Sequence, residues 1–153
     1  MTEALRVEHL ASGPVTRQAT GCLHVRTTGP GFTDVTASLA AFVAETGIRH
    51  GVATLLCRHT SASLAISENT DPDVRRDLAT ALDGMAPRHR RYRHDCEGPD
   101  DMPAHIRSVL TGCTLSIPVV DGVLALGTWQ AVFLAEHRDR PHRREIVVNV
   151  TGD

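Results

Sequence analysis

The stretch from residue 59 to residue 77, H-T-S-A-S-L-A-I-S-E-N-T-D-P-D-V-R-R-D, constrains the fold most, because its hydrophobic period changes partway along it. Its first half alternates apolar and polar residues, which predicts a half-buried strand. The predicted inward residues are Ala62, Leu64 and Ile66, and the outward ones are Ser61, Ser63 and Ser67. Asp71 and Pro72 then form a capping pair that begins a helix, predicted to run to about Leu82. Catalytic side chains are often held at such a polar joint.

The composition is that of one soluble globular domain spanning residues 1–153. Apolar residues make up 41% and charged residues 22%, and no apolar run approaches the length of a membrane span. The formal net charge of −2 gives no general attraction to nucleic acid. The four cysteines lack C-x-x-C spacing, which indicates reduced thiols, three of them in buried strands. We therefore expect a cytoplasmic protein that binds neither membranes nor nucleic acid.

Further strands are predicted from alternating or continuous apolar runs. Their bounds are Leu5–Val7, Ala19–Thr27, Gly51–Arg58, Cys113–Val120, Trp129–Glu136 and Arg144–Val150. The run that begins at Gly51 is almost continuously apolar, so it is predicted to be buried on both faces. Asp121-Gly122, between two pairs of valine and leucine residues, predicts a hairpin with a type I′ turn.

Two more helices are predicted on either side of the central stretch. The first runs from Val35 to about Thr46 and is closed by Gly47. The second runs from about Met102 to Leu110, with Asp101 as its cap, and follows an irregular segment, Pro87–Asp101. The residues predicted on its inner face are Met102, Ile106, Val109 and Leu110. Together these elements predict a single α+β domain, in which a mainly antiparallel sheet packs against a few helices.

Three of the nine histidines stand at positions suited to a metal site. His59 precedes the central strand, His94 lies in the irregular segment, and His105 lies at the edge of the inner face of the second predicted helix. Imidazoles are common metal ligands, and three from separate elements leave coordination positions open, as a catalytic site needs. The alternative is that they are three unrelated histidines, because no H-x-x-x-H or C-x-x-C pair fixes a metal.

Carboxylates near the joint allow two interpretations each. Glu68 shares the apolar face of its strand, so it is either a general acid–base group or a structural ion-pair partner. Asp71 can be explained as a helix cap alone, and Asn69 as a turn residue. Gln130 and Glu136 share one face of a predicted strand and lie at its two ends, which fits the rim of a pocket or a subunit interface.

The irregular segment carries a basic cluster followed at once by acidic residues. The basic residues are Arg88, Arg90, Arg91 and Arg93, and the acidic residues are Asp95, Glu97, Asp100 and Asp101. A solvated loop with local ion pairs is one interpretation, and contact with a small phosphorylated substrate is the other. Nucleic acid is the weakest interpretation, because the acidic residues cancel the basic charge.

Three motifs in order resemble the YjbQ family of small bacterial and archaeal proteins. They are H-T-S-A with E-N-T-D-P-D-V, then R-H-D with A-H, then I-P-V-V-D-G-V-L-A-L-G-T-W-Q. The resemblance runs from about Gly21 to Val150. One departure is Met102-Pro103, which stands where family members commonly carry an asparagine close before the A-H histidine.

The resemblance implies a homotrimer of α+β domains with polar residues in a trough near the subunit contacts. The family's motif positions are His59, Ser61, Glu68, Asn69, Asp71, His94, His105, Gly127, Trp129, Gln130 and Glu136. On that basis we expect a divalent metal on His59, His94 and His105. Zinc is the metal that imidazoles favour, and magnesium is the alternative.

Catalytic roles are expected for Glu68, His94 and Glu136. Substrate contacts are expected from Ser61, Asn69, Asp71, Arg93, Trp129 and Gln130. A metal-free site with His94 as general base is the rival arrangement.

The reaction implied by the resemblance is that of a secondary thiamine-phosphate synthase. Such an enzyme joins a pyrimidine pyrophosphate to a thiazole phosphate and releases pyrophosphate. The dedicated enzyme for this step is a TIM barrel of about 200 residues or more, so this shorter chain requires another architecture. Two alternatives remain open at this point, a metal-dependent phosphoester hydrolase and a trimeric module that binds a metabolite without turning it over.

Overall fold

The computed structural model describes residues 5–153, which contain eight strands and three helices. The strands are β1 (Arg17–Arg26), β2 (Gly31–Asp34), β3 (Gly51–Cys57), β4 (Ala62–Glu68), β5 (Thr114–Val120), β6 (Val123–Leu124), β7 (Gln130–Glu136) and β8 (Arg143–Gly152). The helices are α1 (Thr36–Thr46), α2 (Pro72–Met85) and α3 (Asp101–Thr111). None of the helices in this part of the chain has the length and apolar character needed to cross a bilayer.

The strands form two antiparallel sheets. The larger sheet has the order β1-β8-β3-β5-β6, and the smaller has the order β2-β7-β4. A single apolar core joins both sheets and α1, with fully buried residues such as Leu39, Leu55, Leu64, Leu134 and Ile146. The predicted α+β class with mainly antiparallel strands is therefore confirmed.

The joint at the centre of the sequence forms as predicted. Strand β4 ends at Glu68 and α2 begins at Pro72, and the Asp71 carboxylate accepts a hydrogen bond from the Asp73 amide at 2.9 Å. The other two local predictions also hold. Gly47 closes α1 in a left-handed conformation, with φ of 68°, and the Asp121-Gly122 turn has the two positive φ angles, 52° and 80°, of a type I′ hairpin.

The predicted first strand, Leu5–Val7, is wrong. Residues 5–16 form no helix or strand, and the side chains of Leu5 and Val7 are almost fully exposed. An alternating pattern makes a strand only where a neighbouring strand supplies hydrogen bonds, and β1 pairs with β8 only from Arg17 onward.

Strand β3 is buried on one face rather than on both. Leu55 is 1% exposed, whereas Leu56 beside it is 42% exposed on the open outer face of the larger sheet. The prediction of three cysteines in buried strands is also wrong, since Cys22 lies on an exposed face of β1 and Cys113 lies just before β5. Only Cys57 is buried, and Cys22, Cys96 and Cys113 are exposed.

Helix α3 begins at Asp101 and turns the opposite face inward from the one predicted. Ala104 and Ser108 are buried, whereas Val109 is 83% and Leu110 is 55% exposed. The reason lies in β4, whose serine side is covered by α3. The Ser108 hydroxyl donates to the Ala62 carbonyl at 2.9 Å and the Thr111 hydroxyl contacts Ser63, so Ser63, predicted to face outward, is buried. Ser61, also predicted to face outward, is buried against Arg144.

Candidate functional site

The irregular segment and the start of α3 bring three ligand-type side chains together. His94 comes from the segment, Asp101 is the first residue of α3, and His105 follows it by one helical turn. One atom from each lies within 4.8 Å of the other two. His94 Nε2 is 2.7 Å and His105 Nε2 is 3.2 Å from the same oxygen of Asp101, Oδ2. We call these three residues the open cluster, because both histidines are partly exposed.

The proton on His105 is fixed by the backbone. Its Nδ1 is 3.0 Å from the carbonyl oxygen of Thr60. A carbonyl oxygen only accepts, so Nδ1 carries the proton, and in the neutral ring Nε2 has a lone pair directed toward Asp101. Two electron-rich atoms at 3.2 Å repel unless a proton or a cation lies with them. The donor set therefore fits a cation, and His105 has the second-sphere hydrogen bond that orients metal-binding histidines.

Asp101 is held in place by Arg138. The Arg138 guanidinium donates to Asp101 Oδ1 at 2.5 Å and to Asp100 Oδ2 at 2.9 Å, and it also donates to the Glu97 carbonyl. Burial alone would raise the pKa of Asp101, but the hydrogen bond from His94 and the positive charges of His105 and Arg138 hold it below its usual value. The open cluster therefore offers an ionised carboxylate near neutral pH.

A cavity of about 320 Å³ adjoins the open cluster and shares His94 with it. Its lining includes Arg88, Arg90, Arg91 and Tyr92. Arg88 is bound by two contacts to the Asp139 carboxylate, whereas the guanidinium groups of Arg90 and Arg91 make no hydrogen bond within residues 5–153. Arg93 faces a separate depression. The cavity thus presents two unpaired arginines beside the open cluster, and its volume is in the range of small-molecule sites.

His59 is not a member of the open cluster. Its Nδ1 accepts from the Ser61 amide at 3.1 Å and lies 3.0 Å from the Ser61 hydroxyl. Burial, followed by the positive charges of Arg144 and His142, lowers its pKa. His59 nevertheless lies close to the site, since Thr60, the next residue, contacts His105.

Glu136 is part of a second, fully buried group. Its carboxylate accepts hydrogen bonds from Arg144, from the Thr27 hydroxyl and from the amides of His137 and Arg138. Burial would raise the pKa of Glu136, but these hydrogen bonds, Arg144 first, hold it below its usual value. We call Glu136, Arg144, Thr27 and Ser61 the closed cluster, because all four residues are buried.

The remaining predicted residues lie at the far end of β4 and β7. Glu68 is paired with Gln130 across the two strands, and Trp129, Asn69 and Asp71 are next to them. The length of β4 separates this end from Ala62 by about 20 Å. Within one chain, the structure therefore divides the predicted site residues into two sets. One oxygen of Glu68, Oε2, is buried and makes no hydrogen bond among the described residues.

Sequence reasoning missed two residues here, one member of the open cluster and one residue that supports it. Asp101 was interpreted as a helix cap, although the D-x-x-x-H spacing to His105 places both on one helical face and could have revealed the pair. Arg138 gave no signal, because it reaches Asp101 from a loop 37 residues away.

A second group of ligand-type residues lies on the outer face of the larger sheet. It contains Cys22, His24 and Glu145, again with one atom from each within 4.8 Å of the others. Here Glu145 is bound to Arg58 at 3.0 Å, and the His24–Glu145 distance is 3.7 Å with both side chains more than 40% exposed. This surface group lacks a buried carboxylate.

Fold and site together define a small α+β protein whose two antiparallel sheets support a histidine–carboxylate group beside an arginine-lined cavity. The chain belongs to the family described as UPF0047 protein YjbQ-like, whose model matches residues 22–153. UPF0047 protein sll1880 of Synechocystis is 49% identical over 145 residues, which make up 94% of this chain and 99% of that protein. UPF0047 protein YjbQ of Salmonella typhimurium is 46% identical over 71% of this chain and 76% of its own length.

Solved structures show the same fold. An uncharacterized conserved protein of the YjbQ/UPF0047 family from Clostridium acetobutylicum superimposes with a TM-score of 0.79 at 36% identity, covering 84% of this chain and 98% of that one. The conserved hypothetical protein TT1486 from Thermus thermophilus gives a TM-score of 0.75 at 38% identity, covering 84% and 97%. The predicted family is therefore confirmed.

Proposed function

We propose that this protein is an enzyme of small phosphorylated metabolites, with a divalent metal site formed by His94, Asp101 and His105. One observation carries the proposal. The Thr60 carbonyl accepts a hydrogen bond from the Nδ1–H of His105, which leaves the Nε2 lone pair facing an ionised, buried carboxylate. This arrangement supports a bound cation, because two of the three residues that would hold it are oriented by a contact from outside the cluster, His105 by Thr60 and Asp101 by Arg138.

Zinc is the metal that two imidazoles and one carboxylate favour, and magnesium is the alternative. A bound divalent ion would supply charge stabilisation to phosphate oxygens. His94 would need to carry its own proton on Nδ1 to act as a ligand, since its Nε2 lies 2.7 Å from Asp101. Arg138 keeps Asp101 in position and balances its charge.

The substrate class follows from the cavity beside the cluster. Arg90 and Arg91 line it with unpaired guanidinium groups, and such groups bind phosphate oxygens with two parallel hydrogen bonds. Arg93 is proposed as a further contact for a longer substrate, because its depression shares Arg91 and Tyr92 with the cavity. Arg88 has a positioning role, since Asp139 already holds it.

The reaction we propose is the joining of a pyrimidine pyrophosphate to a thiazole phosphate. The bond between the pyrimidine methylene carbon and the pyrophosphate oxygen breaks, the thiazole nitrogen supplies the electron pair for the new bond, and pyrophosphate leaves. This reaction requires stabilisation of the leaving pyrophosphate anion and does not require a covalent nucleophile from the protein. Family resemblance supports the reaction, and the arginine-lined cavity supports its anionic substrates.

Hydrolysis of a phosphoester is the second candidate. A cluster of three ligand-type residues leaves coordination positions open, and water in place of the thiazole acceptor would give hydrolysis with the same phosphate contacts. Product analysis with both thiamine precursors present separates the two. Coupled thiamine phosphate supports the synthase, and uncoupled pyrophosphate supports the hydrolase.

We also propose a homotrimer, in which the far end of β4 with Glu68, Asn69 and Gln130 contributes to the site of a neighbouring subunit. The exposed Trp129, which is 61% accessible, and the unpaired buried oxygen of Glu68 support an interface there. Glu136 has a structural role in this proposal. Sedimentation that gives a monomer at micromolar concentration would contradict the trimer.

Metal analysis of protein purified without a histidine tag tests the site directly. We expect about one zinc per chain, lost in His105→Ala and kept in His24→Ala, the matched control on the outer sheet face. Protein that contains no zinc after purification and takes up none in a titration would refute the metal site. If zinc-loaded protein binds pyrophosphate but turns over neither thiamine precursor, the result would support the alternative of a module that only binds a metabolite.

A further inference from the structure

His59 carries its proton on the opposite ring nitrogen from His105. The Ser61 amide lies 3.1 Å from His59 Nδ1 with hydrogen-bonding geometry. A backbone amide only donates, so Nδ1 accepts and has no proton of its own. In the neutral ring of His59 the proton is therefore on Nε2.

The closed cluster reinforces this choice through the Ser61 hydroxyl. Arg144 Nη2 lies 3.0 Å from Ser61 Oγ, and Ser61 Oγ lies 3.0 Å from His59 Nδ1. A guanidinium only donates, so Ser61 Oγ accepts from Arg144. Because the amide contact leaves Nδ1 without a proton, the Ser61 hydroxyl donates its own proton to Nδ1. Arg144 cannot turn away, because Glu136 holds it by two contacts of 2.7 and 2.5 Å in a fully buried pair. The donation runs in one direction, from Arg144 to Ser61 to His59.

His59 also lies where a substrate would meet it. The following residue, Thr60, accepts the hydrogen bond of His105, so His59 is one residue away from a direct contact with the open cluster. His59 is exposed, and its Nε2 makes no hydrogen bond within the described part of the chain. An N–H group is thus presented to solvent beside the open cluster.

We infer that His59 is a catalytic residue that donates its Nε2–H to a phosphate oxygen of the substrate, and that it is not a metal ligand. Ser61 and Arg144 are positioning residues that impose the donor tautomer. An imidazole that carries its proton on Nε2 has no lone pair there for a metal. It does have a proton to give to an anion, and such charge-assisted hydrogen bonds are among the stronger ones in proteins. The identity of the substrate as a phosphate rests on the proposed function, whereas the tautomer does not.

Two-bond proton–nitrogen correlation spectra of histidine-labelled protein read each tautomer directly. In zinc-free and zinc-loaded protein alike, we expect His59 to be protonated on Nε2, with His105 protonated on Nδ1. His59→Gln identifies its signals. A His59 ring with its proton on Nδ1, or one whose Nε2 signal changes to that of a metal ligand on zinc addition, would overturn the inference.

Inorganic pyrophosphate is the probe for donation to substrate. In zinc-loaded protein its addition should move the His59 Nε2 proton signal downfield, and His59→Ala should weaken its binding about ten- to a hundredfold, as loss of one charged hydrogen bond implies. His24→Ala should leave binding unchanged. Pyrophosphate that binds without affecting His59 would refute the donor role. If zinc does not bind at all, the proposed metal site fails, while the His59 tautomer is still tested in the metal-free spectra.

The positioning role has its own test. Ser61→Ala, which keeps the amide, should leave the Nε2-protonated form of His59 in the majority with a measurable fraction of the Nδ1-protonated form, and Ser61→Thr, which keeps the hydroxyl, should restore the Nε2-protonated form alone. A single unchanged tautomer in Ser61→Ala would show that the amide alone decides it and would remove Arg144 from the chain of donation.

Discussion

Residues 60 and 61 connect the two clusters, because Thr60 contacts the open cluster and Ser61 belongs to the closed one. Each cluster is built around a buried carboxylate. Glu136 is 2% exposed and Asp101 is 1% exposed. Glu136 receives all its hydrogen bonds from groups that are themselves fixed inside the protein. Asp101 gives one oxygen to Arg138 and presents the other to two partly exposed histidines. Burial of a charge is therefore a poor sign of function, and what distinguishes the open cluster is that its partners can be reached from solvent.

The two clusters also differ in whether an acceptor is left without a donor. In the closed cluster, both Glu136 oxygens accept hydrogen bonds from groups inside the protein, and Arg144 Nη2 donates a further one to Ser61. In the open cluster, the neutral form has one acceptor too many, the Nε2 lone pair of His105. A matched group stabilises the fold, whereas a surplus acceptor beside an anion attracts a proton or a cation.

The largest expected effect is on the closed cluster. Glu136→Ala leaves the Arg144 guanidinium buried without its counter-ion, and breaking such a buried pair costs about 3–5 kcal/mol of unfolding free energy. Urea unfolding at neutral pH measures it. Replacing both partners with apolar residues, Glu136→Leu with Arg144→Met, should recover most of the loss. A loss under about 1 kcal/mol in the single variant would mean that the pair is not the matched structural unit described here.

The next effect is a pH dependence next to the closed cluster. Burial, followed by the charge of Arg107, lowers the pKa of His137 from 6.5 to about 4. The unfolded chain takes up this proton near pH 6.5, so between pH 6.5 and 4 the unfolded state binds more protons and stability rises with pH. The contribution is complete above pH 6.5 and is lost as pH falls to about 4, amounting to about 3 kcal/mol.

Unfolding free energies measured across that range test the dependence, with His137→Asn as the variant that should flatten it. The lowered pKa of exposed His59 acts in the same direction and is not removed by that change. The pKa values of the carboxylates Glu136 and Asp101 are also lowered. Their effect on stability therefore begins only when the pH falls below their ordinary pKa values near 4. An equal slope in wild type and variant would contradict the role of His137.

A smaller effect is expected in the open cluster. Arg138→Met removes the contact that orients Asp101 without removing a proposed ligand, and loss of such an outer partner typically weakens metal binding about 10- to 100-fold. Calorimetric titration with zinc measures the affinity. Arg76→Met, which breaks an exposed pair with Asp73, is the matched control and should leave the affinity unchanged. An unaltered affinity in Arg138→Met would indicate that Asp101 needs no support.

Local patterns predicted the fold well where one element decides its own structure. The cap at Asp71, the turn at Asp121 and the end of α1 at Gly47 depend on a few neighbouring residues, and each formed as predicted. Predictions failed where a partner element decides. The inner face of α3 was misjudged because Ser108 packs on β4, a contact that no period in the helix reveals.

The candidate site was predictable in its histidines but not in their chemistry. His94 and His105 were found as motif residues, whereas the ligand atom each offers depends on the Thr60 carbonyl and on a side chain from a distant loop. His59 has the same residue type and motif status as His105. Its backbone partner is an amide instead of a carbonyl, and that difference, reinforced by the Ser61 hydroxyl, reverses the tautomer.

The last prediction is that zinc binding does not depend on the surface group of Cys22, His24 and Glu145. These residues satisfy the same distance criterion as the open cluster. However, the Arg58 guanidinium occupies one Glu145 oxygen at 3.0 Å and brings a positive charge that opposes a cation. Among residues 5–153, no outside contact fixes the tautomer of His24 as Thr60 fixes that of His105.

Cys22→Ser should therefore leave zinc stoichiometry and affinity unchanged, both measured by the same calorimetric titration. Arg58→Ser sharpens the test, because it frees Glu145 and removes the opposing charge. If a second, weaker zinc appears only in that variant, then the arginine is what keeps the surface group from binding metal. If Cys22→Ser lowers the stoichiometry of the wild-type protein by one, then ligand proximity suffices without a buried, oriented carboxylate, and the distinction between the open cluster and the surface group fails.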